Sequence, residues 1–399
     1  MRNLLYEICI VGGLGHVGLP LGILFARLGR RVILYDINQK AIEAVSQGTM
    51  PFMEKRAEKG LAEVLNKTLF VSSDMKAIAE SHFVIVCIGT PVDEHLNPQF
   101  TAFKKFFHEI LDFLGEKQHI ILRSTVFPGT TQKVKEYLEM KGKRPKLSFC
   151  PERIAEGNAI EELMTLPQII SSFDEASLEE LKELFLSITQ EVIPLSILEA
   201  ELTKLFTNAW RYIRFAIANQ FYQIALQGGA NFDNIYRAMT QHYPRTKDFP
   251  YAGFTAGPCL LKDTMQLAAF SNNSFFLGHS AMLVNEGLPN FIVQCLKNKY
   301  PLKEKVVGIL GMAFKADIDD ARDSLSYKLR KILEMEAREV LCADPFVKDP
   351  SLHRFEEVIE RSEIIIIGAP HSVYRGLCVD SSEKTLVDIW NLTGRGREI

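Results

Sequence analysis

The segment Val11-Gly12-Gly13-Leu14-Gly15-His16-Val17-Gly18 constrains the fold more than any other stretch of the chain. It carries G-x-G-x-x-G at Gly13, Gly15 and Gly18, directly after an apolar run at 7–11 and directly before a helical pattern at 21–28. A strand that turns this tightly into a helix opens a βαβ unit. Gly13 is expected to allow the tight turn, Gly15 to let a pyrophosphate approach the backbone, and Gly18 to let helix and strand pack closely. Leu14, His16 and Val17 complete the turn, and the N-terminus of the helix offers free N–H groups and a positive dipole end to phosphates. Asp36 ends the next apolar run, 31–35, 18 residues after Gly18. A carboxylate there accepts from ribose hydroxyls and repels a 2′-phosphate, which favours NAD over NADP. The motif specifies a dinucleotide site and no reaction.

Further apolar runs at 83–87, 119–122 and 147–150 lie between helical patterns, as in a parallel sheet buried on both faces. From 199 to 226 the pattern changes to one long helix without Pro or Gly, apolar on more than half its circumference. Strand-like runs return at 305–310, 340–343, 364–367 and 385–389. At 399 residues the chain exceeds one ordinary core. The expected architecture is α/β, with an N-terminal Rossmann-like domain (1–195), a central long-helix domain (196–300) and a C-terminal Rossmann-like α/β domain (301–399). Both α/β parts put an Asp after their second strand, Asp36 and Asp344.

The net charge of −3 lacks the basic excess of a nucleic-acid binder. No uninterrupted run of about 18 apolar residues marks a membrane span, and the first residues lack a signal-peptide layout. Seven scattered cysteines form neither a disulfide framework nor a metal motif, so no metal is expected. These features suit a reduced, cytoplasmic protein.

One cysteine stands apart. In Gly253-Phe254-Thr255-Ala256-Gly257-Pro258-Cys259-Leu260-Leu261-Lys262-Asp263, Gly and Pro tighten a loop with Cys259 at its tip and a helix expected just after. A thiol near a helix N-terminus ionises below the free value of about 8.5. The plain alternative, a small buried apolar Cys, suits the others.

With this loop the chain resembles the UDP-glucose/GDP-mannose dehydrogenase family over essentially its whole length. The resemblance runs in order through the glycine fingerprint, Gly89-Thr90-Pro91, Ser124-Thr125 with Pro128-Gly129-Thr130, and Cys150-Pro151-Glu152-Arg153. It continues through Glu156-Gly157, Glu201-Leu202 with Lys204 and Asn208, and the Cys259 loop. It ends with Gly311, Phe314-Lys315, Asp320-x-Arg322-Asp323-Ser324, Asp344-Pro345, and Pro370-His371 with Tyr374.

The resemblance implies an NAD-dependent oxidation of a nucleotide-sugar CH2OH to a carboxylate through a thiohemiacetal and a thioester on Cys259. It implies that Lys204 and Asn208, four apart and so on one helix face, stabilise oxyanions and position water. Glu152 matches the base for thioester hydrolysis, Asp263 a group that orients water and Lys204, and Thr125 a member of the hydrogen-bond relay near the cofactor. Thr90, Glu156 and Arg322 resemble cofactor contacts. Arg153, Glu156, Arg245, Phe254, Gly257 and Lys315 resemble substrate contacts, alongside Glu152, Lys204 and Asn208. His371 and Tyr374 are taken as structural.

His242-Tyr243-Pro244-Arg245 and Pro151-Glu152-Arg153 are similar to segments of the branches that oxidise UDP-N-acetylhexosamines. UDP-N-acetylmannosamine or UDP-N-acetylglucosamine is the expected substrate, with UDP-glucose as the alternative. Leu261, Ala256 and Ser171-Ser172 depart from the family's usual residues; none removes a catalytic group, and Leu261 and Ala256 bear on loop shape and so on the choice of sugar. A two-electron hydroxyacid dehydrogenase would need no thiol, and a non-catalytic sensor would need none of the acid–base groups. A homodimer or larger homo-oligomer is expected, because the long apolar helix would leave an exposed patch on a monomer.

Overall fold

A computed structural model describes residues 4–89, 100–377, 379 and 383–394. The chain divides into two compact units, residues 1–207 and 208–399.

The first unit is built on an eight-stranded sheet. Its strands are β1 (Tyr6–Val11), β2 (Val32–Tyr35), β3 (Leu69–Ser72), β4 (Ser81–Val86), β5 (His119–Leu122), β6 (Lys146–Phe149), β7 (Gln168–Ser172) and β8 (Val192–Leu195). Their order is β3-β2-β1-β4-β5-β6-β7-β8. Apolar runs become central strands here because both faces are covered. On β1, Ile8 and Ile10 enter one core with Leu21, Phe25 and Leu34, while Cys9 and Val11 enter another with Ile33, Val84 and Ile120.

The sequence led us to expect a wholly parallel sheet, and one pair departs from it. β6 and β7 run antiparallel, through Ser148↔Ser172 and Phe149↔Ser171. Ser171 and Ser172 therefore sit at the reversal, with Ser171 Oγ donating to the Phe149 carbonyl (2.6 Å) and Ser148 Oγ donating to Ser172 Oγ (3.0 Å).

The long helix, Ile197–Gln227, has 31 residues and begins in the first unit. Glu201 fixes its start. Its carboxylate accepts from the Gly129 N–H (2.5 Å), the Thr131 N–H (2.9 Å) and Thr131 Oγ1 (2.7 Å), at the N-terminus of the Thr130–Met140 helix. A negative side chain there satisfies orphan donors and complements the dipole.

In the second unit, the later part of this helix joins the helices Leu260–Phe270 and Phe276–Lys299. A four-stranded parallel sheet follows: β9 (Val306–Leu310), β10 (Glu339–Ala343), β11 (Ile364–Ile367) and β12 (Thr385–Val387), in the order β10-β9-β11-β12. Leu288, Ile292 and Leu296 pack with Val307, Ile309, Leu325 and Leu329 into one core. No helix among the described residues is long and apolar enough to cross a membrane.

Candidate active site

In the first unit, candidate residues cluster beyond the carboxyl ends of the parallel strands, where open α/β sheets bind ligands. After β1 the chain turns at Gly12, which takes the positive φ (+71°), one residue before Gly13, where the tight turn is expected from the sequence. A Cβ on Gly12 would come within 2.7 Å of the Cys87 carbonyl oxygen. Gly13 instead packs on the sheet, where a Cβ would lie 2.6 Å from the Ile10 carbonyl and 2.8 Å from Leu34 Cβ. Gly18 lets the Gly18–Arg27 helix close on the turn, since a Cβ there would meet the Gly12 carbonyl at 2.6 Å.

Gly15 differs from these. It is exposed, and a Cβ would find only the Gly12 oxygen, at 3.6 Å. The turn is thus open where a ligand's backbone approach needs it. The helix has no side-chain N-cap, which leaves its dipole end to an anion. Asp36 stands at the end of β2, its Oδ2 accepting from the Leu14 N–H and its Oδ1 from the Asn38 N–H, both at 3.0 Å. These features fit a dinucleotide: an uncluttered glycine at the helix start and an oriented carboxylate for the ribose. His16 lies on Phe52 (ring centroids 4.0 Å apart), with Nδ1 3.9 Å from Glu156 Oε2. Glu54 holds the Glu156 loop by accepting from the N–H groups of Gly157 (2.9 Å) and Ala159 (2.8 Å).

Glu152 follows β6 and is buried. Its Oε2 accepts from Arg123, whose side chain is fully buried after β5, and its Oε1 accepts from the N–H groups of Arg153 (2.6 Å) and Ile154 (3.0 Å). Arg123 also donates to the Cys150 carbonyl (3.1 Å) and to Gln168 Oε1 (2.8 Å). Held in this way, Glu152 is not a solvated surface acid. The Arg153 guanidinium turns back to the Pro167 carbonyl. Thr125 lies half-buried after β5, beside Ser124, whose Oγ donates to the Ile88 carbonyl (2.6 Å). Lys204 is half-buried on the long helix, one turn before the buried Asn208. Thr90 lies outside the described residues.

In the second unit the Cys259 loop takes the form that its sequence suggests. Gly257 has φ +105°, and a Cβ there would strike the Phe314 ring at 2.6 Å. Cys259 is exposed at the N-cap position of the Leu260–Phe270 helix. One turn in, Asp263 is fully buried and its Oδ2 accepts from Asn208 Nδ2 at 2.6 Å, while Lys262 Nζ lies 3.0 Å from its Oδ1. Burial pushes the Cys150 and Cys342 thiols up to about 12 and the Cys9 thiol higher still. Those cysteines stay protonated, whereas Cys259 meets solvent at a dipole end.

Phe254 is buried in this loop, and Arg245 is exposed, its guanidinium over the Tyr243 ring at 5.6 Å. Lys315 is half-buried. The Arg322 side chain is exposed at 57% and pairs with Asp320 (Nε to Oδ2, 2.8 Å). Asp344 is the counterpart of Asp36 by position only. Its oxygens accept from the N–H groups of Met312, Ala313, Phe346 and Val347 and lie 3.0 Å from His371 Nε2. With that set it holds its own loops together.

Sequence reasoning missed Arg123, Glu54 and Asn219, the last a buried residue of the long helix whose Oδ1 accepts from the Gly253 N–H (2.8 Å) in the Cys259 loop. Arg123 follows a four-residue apolar run, a place where a charge has to find a buried partner, and that was the available signal. Glu54 and Asn219 carried none.

Domain models of one family match nearly the whole chain. The NAD binding domain of the UDP-glucose/GDP-mannose dehydrogenase family matches residues 6–189, its central domain 198–286 and its UDP binding domain 308–395. A UDP-N-acetyl-D-mannosamine dehydrogenase of Pyrococcus horikoshii is 29% identical over 388 residues, covering 94% of this chain and 92% of that one. An NDP-N-acetyl-D-galactosaminuronic acid dehydrogenase of Ralstonia nicotianae is 25% identical over 401 residues, covering 94% of each. Among solved structures, the UDP-D-ManNAc dehydrogenase of Pyrococcus horikoshii superposes with a TM-score of 0.89 at 27% identity, covering 97% of this chain and 96% of that one. The UDP-N-acetyl-mannosamine dehydrogenase of Staphylococcus aureus gives 0.85 at 26%, covering 97% and 99%. With its glycine turn, Asp36 and its UDP binding domain, the chain belongs to the UDP-glucose/GDP-mannose dehydrogenase family and is an NAD-dependent nucleotide-sugar dehydrogenase.

Proposed function

We propose that the enzyme oxidises the C6 alcohol of a UDP-N-acetylhexosamine, with UDP-N-acetylmannosamine first, to the uronate in two steps through a thioester on Cys259. The observation that carries this reading is an exposed thiol at a helix N-terminus, one turn from the buried Asn208–Asp263 pair. The names of the relatives and the Arg245 and Arg153 segments support the sugar. UDP-glucose is the alternative.

In this mechanism bound NAD supplies the two-electron acceptor for each oxidation. The first oxidation converts CH2OH to an aldehyde, with two electrons and one proton going to the acceptor and the hydroxyl proton to solvent. The Cys259 thiolate adds to the carbonyl carbon, forming a C–S bond and a thiohemiacetal whose oxyanion Lys204 and Asn208 stabilise. The second oxidation gives the thioester. Water then breaks the C–S bond, releasing the carboxylate and the thiol, with Glu152 taking the water's proton. Glu152 Oε2 has a second lone pair beside its bond from Arg123 and so can accept from that water. Asp263 orients Lys204 and the water, and Thr125 joins the relay. Gly13, Gly15, Gly18, Asp36, His16, Glu156, Thr90 and Arg322 serve the cofactor. Arg153, Arg245, Phe254, Gly257 and Lys315 serve the nucleotide sugar.

We assign the work to three domains, residues 1–195, 196–300 and 301–399. We further propose a homodimer formed on the long helix, where Phe206 (54% exposed), Trp210 (57%) and Ile224 (56%) share one face with Ile217 and Phe221. The enzyme works in a reducing cytoplasm, and its uronate enters surface-polysaccharide synthesis.

The test is stoichiometric. Purified protein is mixed with NAD and, in turn, UDP-N-acetylmannosamine, UDP-N-acetylglucosamine, UDP-glucose, UDP-galactose and GDP-mannose. Two NADH per UDP-N-acetylmannosamine consumed is the expected result. One NADH per sugar removes the thioester, and turnover confined to another sugar replaces the substrate.

A further inference from the structure

The eleven-residue path from Gly253 to Asp263 carries Cys259, and the long helix grips it at both ends. Asn208 and Asn219 are eleven residues apart on that helix, about three turns, so they share one face. Asn208 holds the downstream end through Asp263. Asn219 holds the upstream end through both backbone groups of one residue. Its Oδ1 accepts from the Gly253 N–H (2.8 Å), and its Nδ2 donates to the Gly253 carbonyl (3.1 Å). The same Nδ2 donates to Asn285 Oδ1 (2.9 Å), and Asn285 Nδ2 donates to the Tyr212 carbonyl (3.1 Å).

Asn219 and Asn285 are both fully buried. A side-chain amide offers an acceptor and a donor side by side and so matches an N–H and a C=O together. On its other side Gly253 meets the Trp390 ring, where a Cβ would come to 2.3 Å. Gly253 is therefore pinned between an amide and an indole. Burying two amides costs free energy unless every bond is made, and here the bonds converge on the foot of the loop.

We infer that Asn219 is a positioning residue for Cys259, setting the height at which the nucleophile loop leaves the long helix. This rests on the reading of Cys259 as nucleophile. A displacement of about 1 Å at a reacting atom lowers rates about 100-fold, so the clamp acts on the bond-forming step and not on NAD binding.

The test uses full-length protein, unaltered and with Asn219→Ala or Asn219→Asp. The second substitution keeps the side-chain size and the Gly253 N–H bond but has no more than one O–H to give, so it loses at least one donated bond. Three quantities are measured below the melting temperature: kcat and KM with NAD and the nucleotide sugar, the rate of Cys259 alkylation by iodoacetamide read by peptide mass, and NAD affinity. The expected result is a kcat lowered at least tenfold, an alkylation rate changed at least fivefold, and NAD affinity within twofold. Folded variants with kcat and alkylation rate both within twofold of the unaltered protein overturn the inference. Hydrogen exchange in the unaltered protein decides it if neither variant folds. Protection of the Gly253 amide comparable to the Leu260–Phe270 helix supports the clamp, and exchange at the rate of open loops overturns it. The nucleophile reading fails separately, if Cys259→Ala retains full turnover.

Discussion

Arg123 and Glu152 form an ion pair inside the first unit, with the Arg123 side chain fully buried and that of Glu152 only 7% exposed. Arg123 follows β5 and Glu152 follows β6, so neighbouring strands deliver the two charges to the carboxyl end of the sheet. Removing one partner leaves an unpaired buried charge, which costs about 3–5 kcal/mol. Arg123→Met is expected to destabilise the protein by about that amount in urea unfolding. Adding Glu152→Gln removes the stranded charge and should restore at least about 1 kcal/mol. A double variant as unstable as, or less stable than, Arg123→Met alone would show that the pair matters only through packing.

The glycine turn separates stability from ligand binding. A Cβ on Gly13 lies 2.6 Å from a backbone oxygen and cannot be absorbed without moving the strand, whereas one on Gly15 meets nothing closer than 3.6 Å. Gly13→Ala is expected to lower stability by about 1–3 kcal/mol, as overpacking does. Gly15→Ala should stay within about 0.5 kcal/mol, in the range of substitutions away from such contacts, yet lose NAD affinity at least tenfold. Melting curves and NAD titration on the two variants check this, and equal effects on both quantities would refute it.

The Asp36 carboxylate is oriented by the Leu14 and Asn38 N–H groups before any ligand arrives. A hydrogen bond to a charged group contributes about 1.5–3 kcal/mol, which is about 10- to 100-fold in affinity. Asp36→Asn should therefore raise KM for NAD by that factor. It should also narrow the preference over NADP, because the charge that repels a 2′-phosphate is gone. The ratio of kcat/KM for the two cofactors is the measurement, and an unchanged ratio counts against the assignment.

How far the sequence reaches is visible at particular residues. β11 is an uninterrupted apolar run, and β4 and β5 are apolar after their leading Ser81-His82 and His119, as cores on both faces of a parallel sheet demand. β8 escaped because it contains Pro194, which only an edge strand tolerates, and β8 is the edge. β7 escaped because its run ends in Ser171 and Ser172, and apolar periodicity carries no record of strand direction, so the β6–β7 reversal was hidden too. At the candidate site, Cys259 was legible because Gly, Pro and a helix start announce a tight loop. Asn219 was not, because a polar residue in a helix pattern is by default on the solvent side, and only tertiary structure shows that it faces Gly253.

The pH dependence of stability has a source in the second sheet. Burial pushes the Asp344 carboxyl up, but the bond and charge of His371 and the N–H groups of Val347 and Phe346 outweigh burial and hold it at about 2. Its ordinary value is 3.8. A carboxylate with a depressed value contributes stability above its unfolded pKa and loses it as pH falls through the folded one. The window is therefore about pH 4 down to about pH 2, and the contribution is about 2 kcal/mol. Asp344→Asn removes the titrating group, so its unfolding free energy should fall less steeply across that window than that of the unaltered protein. At pH 6 the variant should be the less stable of the two, because the amide presents an N–H group to donors that a carboxylate satisfied. Urea unfolding at pH 6, 4 and 3, followed for both proteins, compares the slopes. Parallel slopes would mean that Asp344 titrates alike in the folded and unfolded chains, and the hydrogen bonds from Met312, Ala313, Phe346 and Val347 would then carry no pH-dependent stability.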